Sequence, residues 1–337
     1  MIDLLVAGAG PVGLAAAIAA AQAGLEVHVV DPRTSPIDKA CGEGLMPEAL
    51  ERLAELGVDP LGRDFTGIRY VSPGHTAIAH FGAGPGRGVR RTTLQTQMQA
   101  RAEELGVHFH EGRITELQQG SEAVEAHGFS ARFLIGADGL HSQVRTALRI
   151  PTSQGPRHRF GIRQHFEVEP WADVVEVYWL PDAEVYVTPI DDSTVGVALL
   201  GSAPLDLDSA IDRVPALAWR LKGSARVSAP RGAGPMHVKV MSKRLGRSML
   251  VGDASGYVDA LTGEGLRIGF AQARAAVSCI LAGDLDSYEH EWLRITRSYR
   301  MLTSALLYAA RRKRVRSTIV PAAQYFPGVF AQIVNLL

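Results

Sequence analysis

The chain has 337 residues, 46% of them apolar and 21% charged, with equal numbers of basic and acidic side chains. That composition describes a folded protein with a substantial core and excludes a disordered chain. Zero net charge gives no global field for nucleic acid, and Cys41 and Cys279, far apart in sequence, form neither a disulfide framework nor a CxxC metal motif. No nucleic-acid partner and no metal are expected, and the reducing cytoplasm is the expected compartment.

The first 31 residues carry a single unit. Leu4 to Leu25 is uncharged, as a leader or membrane helix would be, but Asp3 stands where a basic flank is needed and glycines break the run. An apolar strand from Ile2 to Ala7 leads into Gly8-x-Gly10-x-x-Gly13. A helix of small residues follows to about Ala23, and a β-rich run, Glu26 to Val30, ends in Asp31. Strand, glycine turn, helix, strand and acid together make a dinucleotide-binding unit. Gly8 serves the tight turn, Gly10 the approach of a pyrophosphate to the helix N-terminus, and Gly13 the packing of helix on strand. Asp31 can bind ribose hydroxyls. The unit alone does not separate FAD from NAD.

Lys39 to Leu45 reads KACGEGL. Metal ligation here lacks partner ligands. Cys41 reads as a polarizable pocket lining, with a redox thiol as the alternative. Glu43 is either a proton donor or the cap of a helix beginning near Pro47.

Further on, an apolar strand from Arg132 runs into Gly136-Ala137-Asp138-Gly139, then a polar turn and a helix. From about Gly155 to Lys243 the pattern changes to period-two runs: FGIRQHFEV, VVEVYWL, EVYVTPI and TVGVALL. These read as an antiparallel sheet. On its first strand Phe160, Ile162, Gln164 and Phe166 share one face, and Arg163, His165 and Glu167 the other. His165 is expected to be solvated, with a pocket acid or base as the alternative, and Tyr178 and Tyr186 are read the same way. From Ser248 a strand delivers Gly252-Asp253, and a loop reaches Gly263-Glu264-Gly265-Leu266 at the start of a long helix. A strand-end aspartate can hold the ribityl hydroxyls of a flavin, and a helix N-terminus can face its N1/C2=O edge.

From Asp286 a long helix is expected, with Asp286 and Glu289 at capping-box spacing and an apolar stripe of Tyr288, Trp292, Ile295, Tyr299, Leu302 and Leu306. RRKRVR, Arg311 to Arg316, precedes the apolar IVPAAQYFPGVFAQIVNLL. This tail is expected to dock on the body, with weak contact to an anionic membrane, at the inner face, as the alternative.

The order and spacing of the GxGxxG, the DG segment at Asp138 and the GD segment at Asp253 resemble flavoproteins of the p-hydroxybenzoate hydroxylase fold (the group A monooxygenase superfamily). The resemblance spans about Ile2 to Ala282. CGEGL at Cys41 and VDALTGEGL at Val258 are most similar to its geranylgeranyl reductase branch. The halogenase segment Trp-x-Trp-x-Ile-Pro is absent from the sequence, and no hydrolytic motif appears. The resemblance implies an α/β fold: a Rossmann-like FAD-binding domain (1–70, 88–150 and 244–283), an inserted antiparallel β-sheet substrate domain (71–87 and 151–243) and a C-terminal helical region (284–337). It implies FAD contacts at Gly8, Gly10, Pro11, Val12, Gly13, Asp31, Pro32, Arg33, Cys41, Gly42, Arg91, Ile114, Asp138, Gly139, Gly252, Asp253, Gly263, Glu264, Gly265 and Leu266. Arg91 precedes a helix expected from about Thr92. NADH or NADPH is expected as a transient reductant and a hydrophobic small molecule as substrate. Monooxygenation of an aromatic or hydrophobic compound is the leading expectation. Reduction of a lipid or polyketide C=C bond is the alternative, and a flavin-free prenyl-protein escort is the second alternative.

Overall fold

The computed structural model describes residues 1–154 and 158–336. Residues 155–157 of the expected substrate domain and residue 337 of the expected tail lie outside the described residues.

The first sheet has a parallel centre, covered on both faces, with short antiparallel strands added to it. Ile2–Ala7 lies between Val27–Asp31 and Phe129–Gly136. His108–Glu111 extends one side, and Ser248–Leu250 the other. Helices Pro11–Gln22, Arg91–Glu104 and Gly265–Ala282 contribute Leu14, Ile18, Leu94, Met98, Phe270 and Val277 to the core on one face. The first helix starts with Pro11 at N1, where the missing N–H costs nothing. Gly8, at φ +107°, makes the turn that no side chain would tolerate. A Cβ on Gly13 would lie 1.9 Å from the Gly8 carbonyl oxygen and 3.2 Å from Ala137 Cβ. Helix and strands therefore meet backbone to backbone at the sheet's C-terminal edge.

The second sheet runs Phe160–Glu167, Thr194–Gly201, Ala183–Pro189, Val175–Trp179, all antiparallel. It continues through Gly67–Ser72, parallel to Val175–Trp179, and His75–His80. Gly67–Ser72 lies wholly in this sheet and straddles the expected boundary after residue 70. One face is closed by the short helices Leu207–Asp212 and Pro215–Arg220 around Phe166, Val185, Val197 and Leu217. The other face looks toward the first sheet.

The helix Tyr288–Arg311 buries Tyr288, Trp292, Thr296, Tyr299, Thr303 and Leu307, so the expected stripe drifts onto the two threonines. The expected capping box is absent. Asp286 pairs with Arg244, Glu289 accepts hydrogen bonds from Ser242 and the Lys243 amide, and Asp284 accepts from the Ser287 amide at 3.2 Å. Donors of the 242–244 segment outcompete the helix for both carboxylates. The tail forms helices Ile319–Tyr325 and Pro327–Asn335, which lie along His75–His80. Asn335 Nδ2 donates to the His80 carbonyl at 3.1 Å, and the Gly82 amide donates to Asn335 Oδ1 at 2.7 Å. No described helix is long and apolar enough to cross a membrane.

The glycine turn yields a paired prediction. Gly13→Ala forces a backbone clash and should cost about 1–3 kcal/mol or more in urea unfolding. A Cβ on Gly10 would meet only Arg91 Nη2, at an ordinary contact distance of 3.6 Å. Gly10→Ala should leave unfolding unchanged yet weaken dinucleotide binding measured by titration. Equal effects on stability would contradict the division of labour.

Candidate functional site

A cavity of about 610 Å³ runs between the two sheets. At one end lie the glycine turn, Asp31 and Arg33; at the other lie Ile68, Tyr70, Val175, Val177 and Leu200 of the second sheet. Every expected cofactor contact lines it except Gly13 and Glu264. Gly13 is spent on packing. Glu264 is turned inward and bound to Arg267, with its Oε2 buried and unpartnered among the described residues.

The residues at the dinucleotide end are held before any ligand arrives. Asp31 Oδ2 accepts from the Ala9 amide at 2.9 Å, and its Oδ1 accepts from the Arg33 amide and Nε, both at 2.9 Å. Asp138 Oδ2 caps the helix Gln143–Ala147 through the Gln143 and Val144 amides, at 2.6 and 3.1 Å, while its buried Oδ1 has no partner among the described residues. The Arg91 guanidinium lies over Gly10 and also has no described hydrogen-bond partner. Unpaired buried polar groups are costly and call for a ligand. An orphaned guanidinium over a glycine turn at a helix N-terminus suits a pyrophosphate, and these residues fit FAD. Asp253 faces the cavity with Lys39 Nζ at 3.3 Å, a pair exposed enough to contribute little energy. Lys39 and Arg145 were not legible as site residues. Arg145 donates to the Leu140 and Ala254 carbonyls, each at 2.9 Å, and so ties the DG and GD loops together.

KACGEGL crosses the middle of the cavity. Cys41 and Gly42 line it, and Cys41 Sγ accepts from the Glu43 amide at 3.4 Å. Cys279 is buried in the helix Gly265–Ala282, and both cysteines are free. Glu43 and His165 do not reach the cavity wall. Glu43 adopts φ +60° and points away from it. Its Oε1 accepts from the Arg91 amide at 2.8 Å, and its Oε2 lies 2.6 Å from His165 Nε2. It therefore caps the helix Arg91–Glu104, and not the expected helix Pro47–Glu55.

His165, expected to be solvated, is buried at 1% exposure. The reason is that the Arg163/His165 face of its strand packs on this loop. His165 Nδ1 meets Ser228 Oγ at 2.8 Å and the guanidinium groups of Arg90 and Arg163 at 3.2 and 3.3 Å. A guanidinium only donates, so Nδ1 accepts and Nε2–H donates to Glu43. Arg163 Nη2 donates in turn to Asp38 Oδ1 at 2.5 Å, and Arg231 Nε to Asp38 Oδ2 at 3.0 Å. Tyr186 lines the cavity with its hydroxyl donating to the Leu261 carbonyl at 2.9 Å. Tyr178 lies on the opposite face and donates to Glu176 at 2.8 Å.

With fold and cavity described, the comparisons with known proteins take their place. Residues 1–297 match the family described as "FAD binding domain", and the chain belongs to that family. Among characterised relatives, a menaquinone reductase of Mycobacterium tuberculosis (strain H37Rv) is 28% identical, covering 84% of this chain and 77% of its own. A digeranylgeranylglycerophospholipid reductase of Methanosarcina acetivorans is 26% identical, covering 87% and 81%. Among solved structures, a flavoprotein/dehydrogenase from Cytophaga hutchinsonii superposes with TM-score 0.80 at 19% identity, covering 99% of this chain and 96% of its own. The myxobacterial chondrochloren halogenase CndH does so with TM-score 0.80 at 20% identity, covering 99% and 91%. At such identities the structures share the fold alone. Family and relatives make the protein a flavin-dependent oxidoreductase.

Two predictions follow from the buried charges. Glu43→Ala and His165→Ala should each destabilise by about 3–5 kcal/mol, because each leaves a buried polar partner stranded. The double variant should cost less than their sum, by about 0.5–3 kcal/mol; strict additivity in urea unfolding would mean the two do not interact. Burial raises the Glu264 carboxyl from 4.5 to about 7, against the pull of Arg267. A carboxyl raised on folding contributes stability fully below its unfolded value, and loses it as pH climbs through the folded one. Wild-type Tm should therefore fall between about pH 5 and 8 more steeply than that of Glu264→Gln. Parallel profiles would show that Glu264 ionises normally.

Proposed function

We propose that the protein is an FAD-dependent reductase that saturates a carbon–carbon double bond in a hydrophobic, isoprenoid-type substrate, with NADH or NADPH as a transient hydride source. The observation that carries this reading is the cavity's division. Its dinucleotide half is polar and preorganised, whereas its far half is walled by Ile68, Val175, Val177, Leu200, Met236 and Leu261. An apolar chain gains about 25 cal/mol per Å² on leaving water for such a wall. The named activities of the relatives, both reductases of lipid-soluble compounds, support it further.

The groups that would hold FAD are the glycine turn, Asp31, Arg33, Arg91, Asp138 and Asp253, with Gly263, Gly265 and Leu266 as backbone contacts. FAD, when bound, would supply the two-electron redox chemistry, with a reduced nicotinamide as the source of electrons. The chain's own part is to bind, shield and protonate. A reduced alkene needs a proton as well as a hydride, and Cys41 at Sγ and Tyr70 at Oη are among the wall groups that could carry one. Burial raises the Tyr70 hydroxyl well above its ordinary value, so that it keeps its proton. Glu43 and His165 act as positioning residues, fixing the loop that carries Cys41. Monooxygenation is the second reading.

The test uses purified protein, which should be yellow and release FAD. Under anaerobic conditions with NADH or NADPH, a menaquinone or a digeranylgeranyl lipid should gain hydrogen in mass spectra. A product formed only in air, carrying an added oxygen atom, would replace reduction by monooxygenation. A colourless protein that binds no FAD would revive the escort reading.

A further inference from the structure

The tail that closes the substrate end of the molecule has two unlike faces. Phe330 and Val334 of Pro327–Asn335 are buried, and the Phe330 ring packs on Tyr70 with centroids 4.8 Å apart. Tyr70 is itself a wall of the cavity, so one layer of side chains separates the helix from the substrate end. The outward side is apolar as well. Phe326, Val329, Ile333 and Leu336 follow at spacings of three, four and three and form one stripe, with Tyr325 beside it. Their exposures run from 37% for Ile333 to 73% for Tyr325. Charged residues usually occupy such a face, and a contiguous apolar stripe marks an interaction surface.

Charge identifies the occupant. From Trp292 to the last residue the sequence has no Asp or Glu and eight basic residues: Arg294, Arg297, Arg300, Arg311, Arg312, Lys313, Arg314 and Arg316. The rest of the chain then holds 27 basic against 35 acidic residues, so a chain of zero net charge is strongly polarised. Arg316 is buried against Glu184 and the Leu180 and Ala183 carbonyls, which leaves Arg311, Arg312, Lys313 and Arg314 exposed immediately before the apolar helices.

We propose that the two tail helices, Ile319–Tyr325 and Pro327–Asn335, rest on an anionic lipid bilayer. The stripe Phe326, Val329, Ile333 and Leu336 would enter the headgroup boundary, and Arg311 to Arg314 would face acidic headgroups. Aromatic and aliphatic side chains on one helix face beside a basic cluster are what interfacial binding requires, and each basic residue near the surface adds attraction. The surface lies behind Tyr70, so the bilayer meets the protein at the apolar end of the cavity and away from the dinucleotide turn. The binding surface is independent of the reductase reading; only its use for substrate entry rests on it.

The experiment is flotation of the full-length protein with vesicles of phosphatidylcholine alone and of phosphatidylcholine with phosphatidylglycerol in equal parts, at low and high salt. Binding should require phosphatidylglycerol and weaken with salt. Two variants separate the forces, Val329→Asp with Ile333→Asp for the stripe, and Arg312→Glu with Lys313→Glu and Arg314→Glu for the cluster. Each should lower partitioning about tenfold or more while circular dichroism and thermal unfolding stay near wild type. No flotation, flotation indifferent to phosphatidylglycerol, or wild-type flotation by both variants would overturn the proposal. So would light scattering that shows the wild type as a dimer and Val329→Asp/Ile333→Asp as a monomer, since a second copy would then own the stripe. The assay reads no catalysis, so a failure of the reductase reading leaves its outcome unaffected.

Discussion

The contact between Glu43 and His165 is the constraint on which the site depends. It joins the cysteine loop to a strand of the second sheet, 122 residues apart, through a 2.6 Å hydrogen bond with both partners buried. An isolated carboxylate in that position would be expensive. Here its Oε1 caps the helix Arg91–Glu104 and its Oε2 receives the imidazole proton, so one side chain fixes three elements: the cysteine loop, the arginine helix and the second sheet. A non-glycine residue at φ +60° between two glycines is the backbone cost of turning that carboxylate inward. The same twist leaves Cys41 and Gly42 facing the cavity, so the strain and the exposure of the thiol have one origin.

The cavity's two halves follow from how each sheet is covered. The first sheet ends its parallel strands against helix N-termini and glycine turns, which present unpaired N–H groups and little side-chain bulk. The second sheet is mostly antiparallel and gives its inner face one residue in two, and at that period Val175 and Val177 line the wall while Glu176 and Tyr178 bond to each other on the far side. A molecule spanning both halves is gripped by polar groups at one end and by shape at the other. This is the division expected where the cofactor is fixed and the substrate is apolar.

The dinucleotide end was almost wholly legible in the sequence, because its chemistry is local. Gly8, Gly13 and Asp31 lie within one strand–turn–helix–strand unit whose spacing determines its geometry, and the DG and GD segments are contiguous in the same way. The rest depended on tertiary contact. The period of Phe160–Glu167 set which residues share a face but not which face is buried, so His165 was expected in water. Nothing near Glu43 in sequence showed that its partners would be the Arg91 amide and His165. The capping box failed for a like reason: Asp286 and Glu289 have the right spacing, but Arg244, Ser242 and the Lys243 amide approach from another element and take both carboxylates. Nothing in the sequence placed Lys39 against Asp253, or Arg145 against the Leu140 and Ala254 carbonyls. A lone basic residue reads as surface until the carbonyls or carboxylate it meets are placed beside it.

The buried network also bears on what Cys41 can do. A reactive thiolate needs a nearby positive group. The cations closest in sequence and structure are already engaged: Lys39 with Asp253, Arg163 with Asp38 and His165, and Arg90 with His165. The Sγ atom itself accepts a weak hydrogen bond from the Glu43 amide at 3.4 Å. Cys279, the only other cysteine in the sequence, is buried among the aliphatic side chains of the first core. A dithiol cycle has no second thiol at the loop, so the sulfur's contribution to the wall is a polarizable surface. On the proposed reading such a surface suits an apolar substrate, and electron transfer would fall to the dinucleotide at the other end of the same cavity.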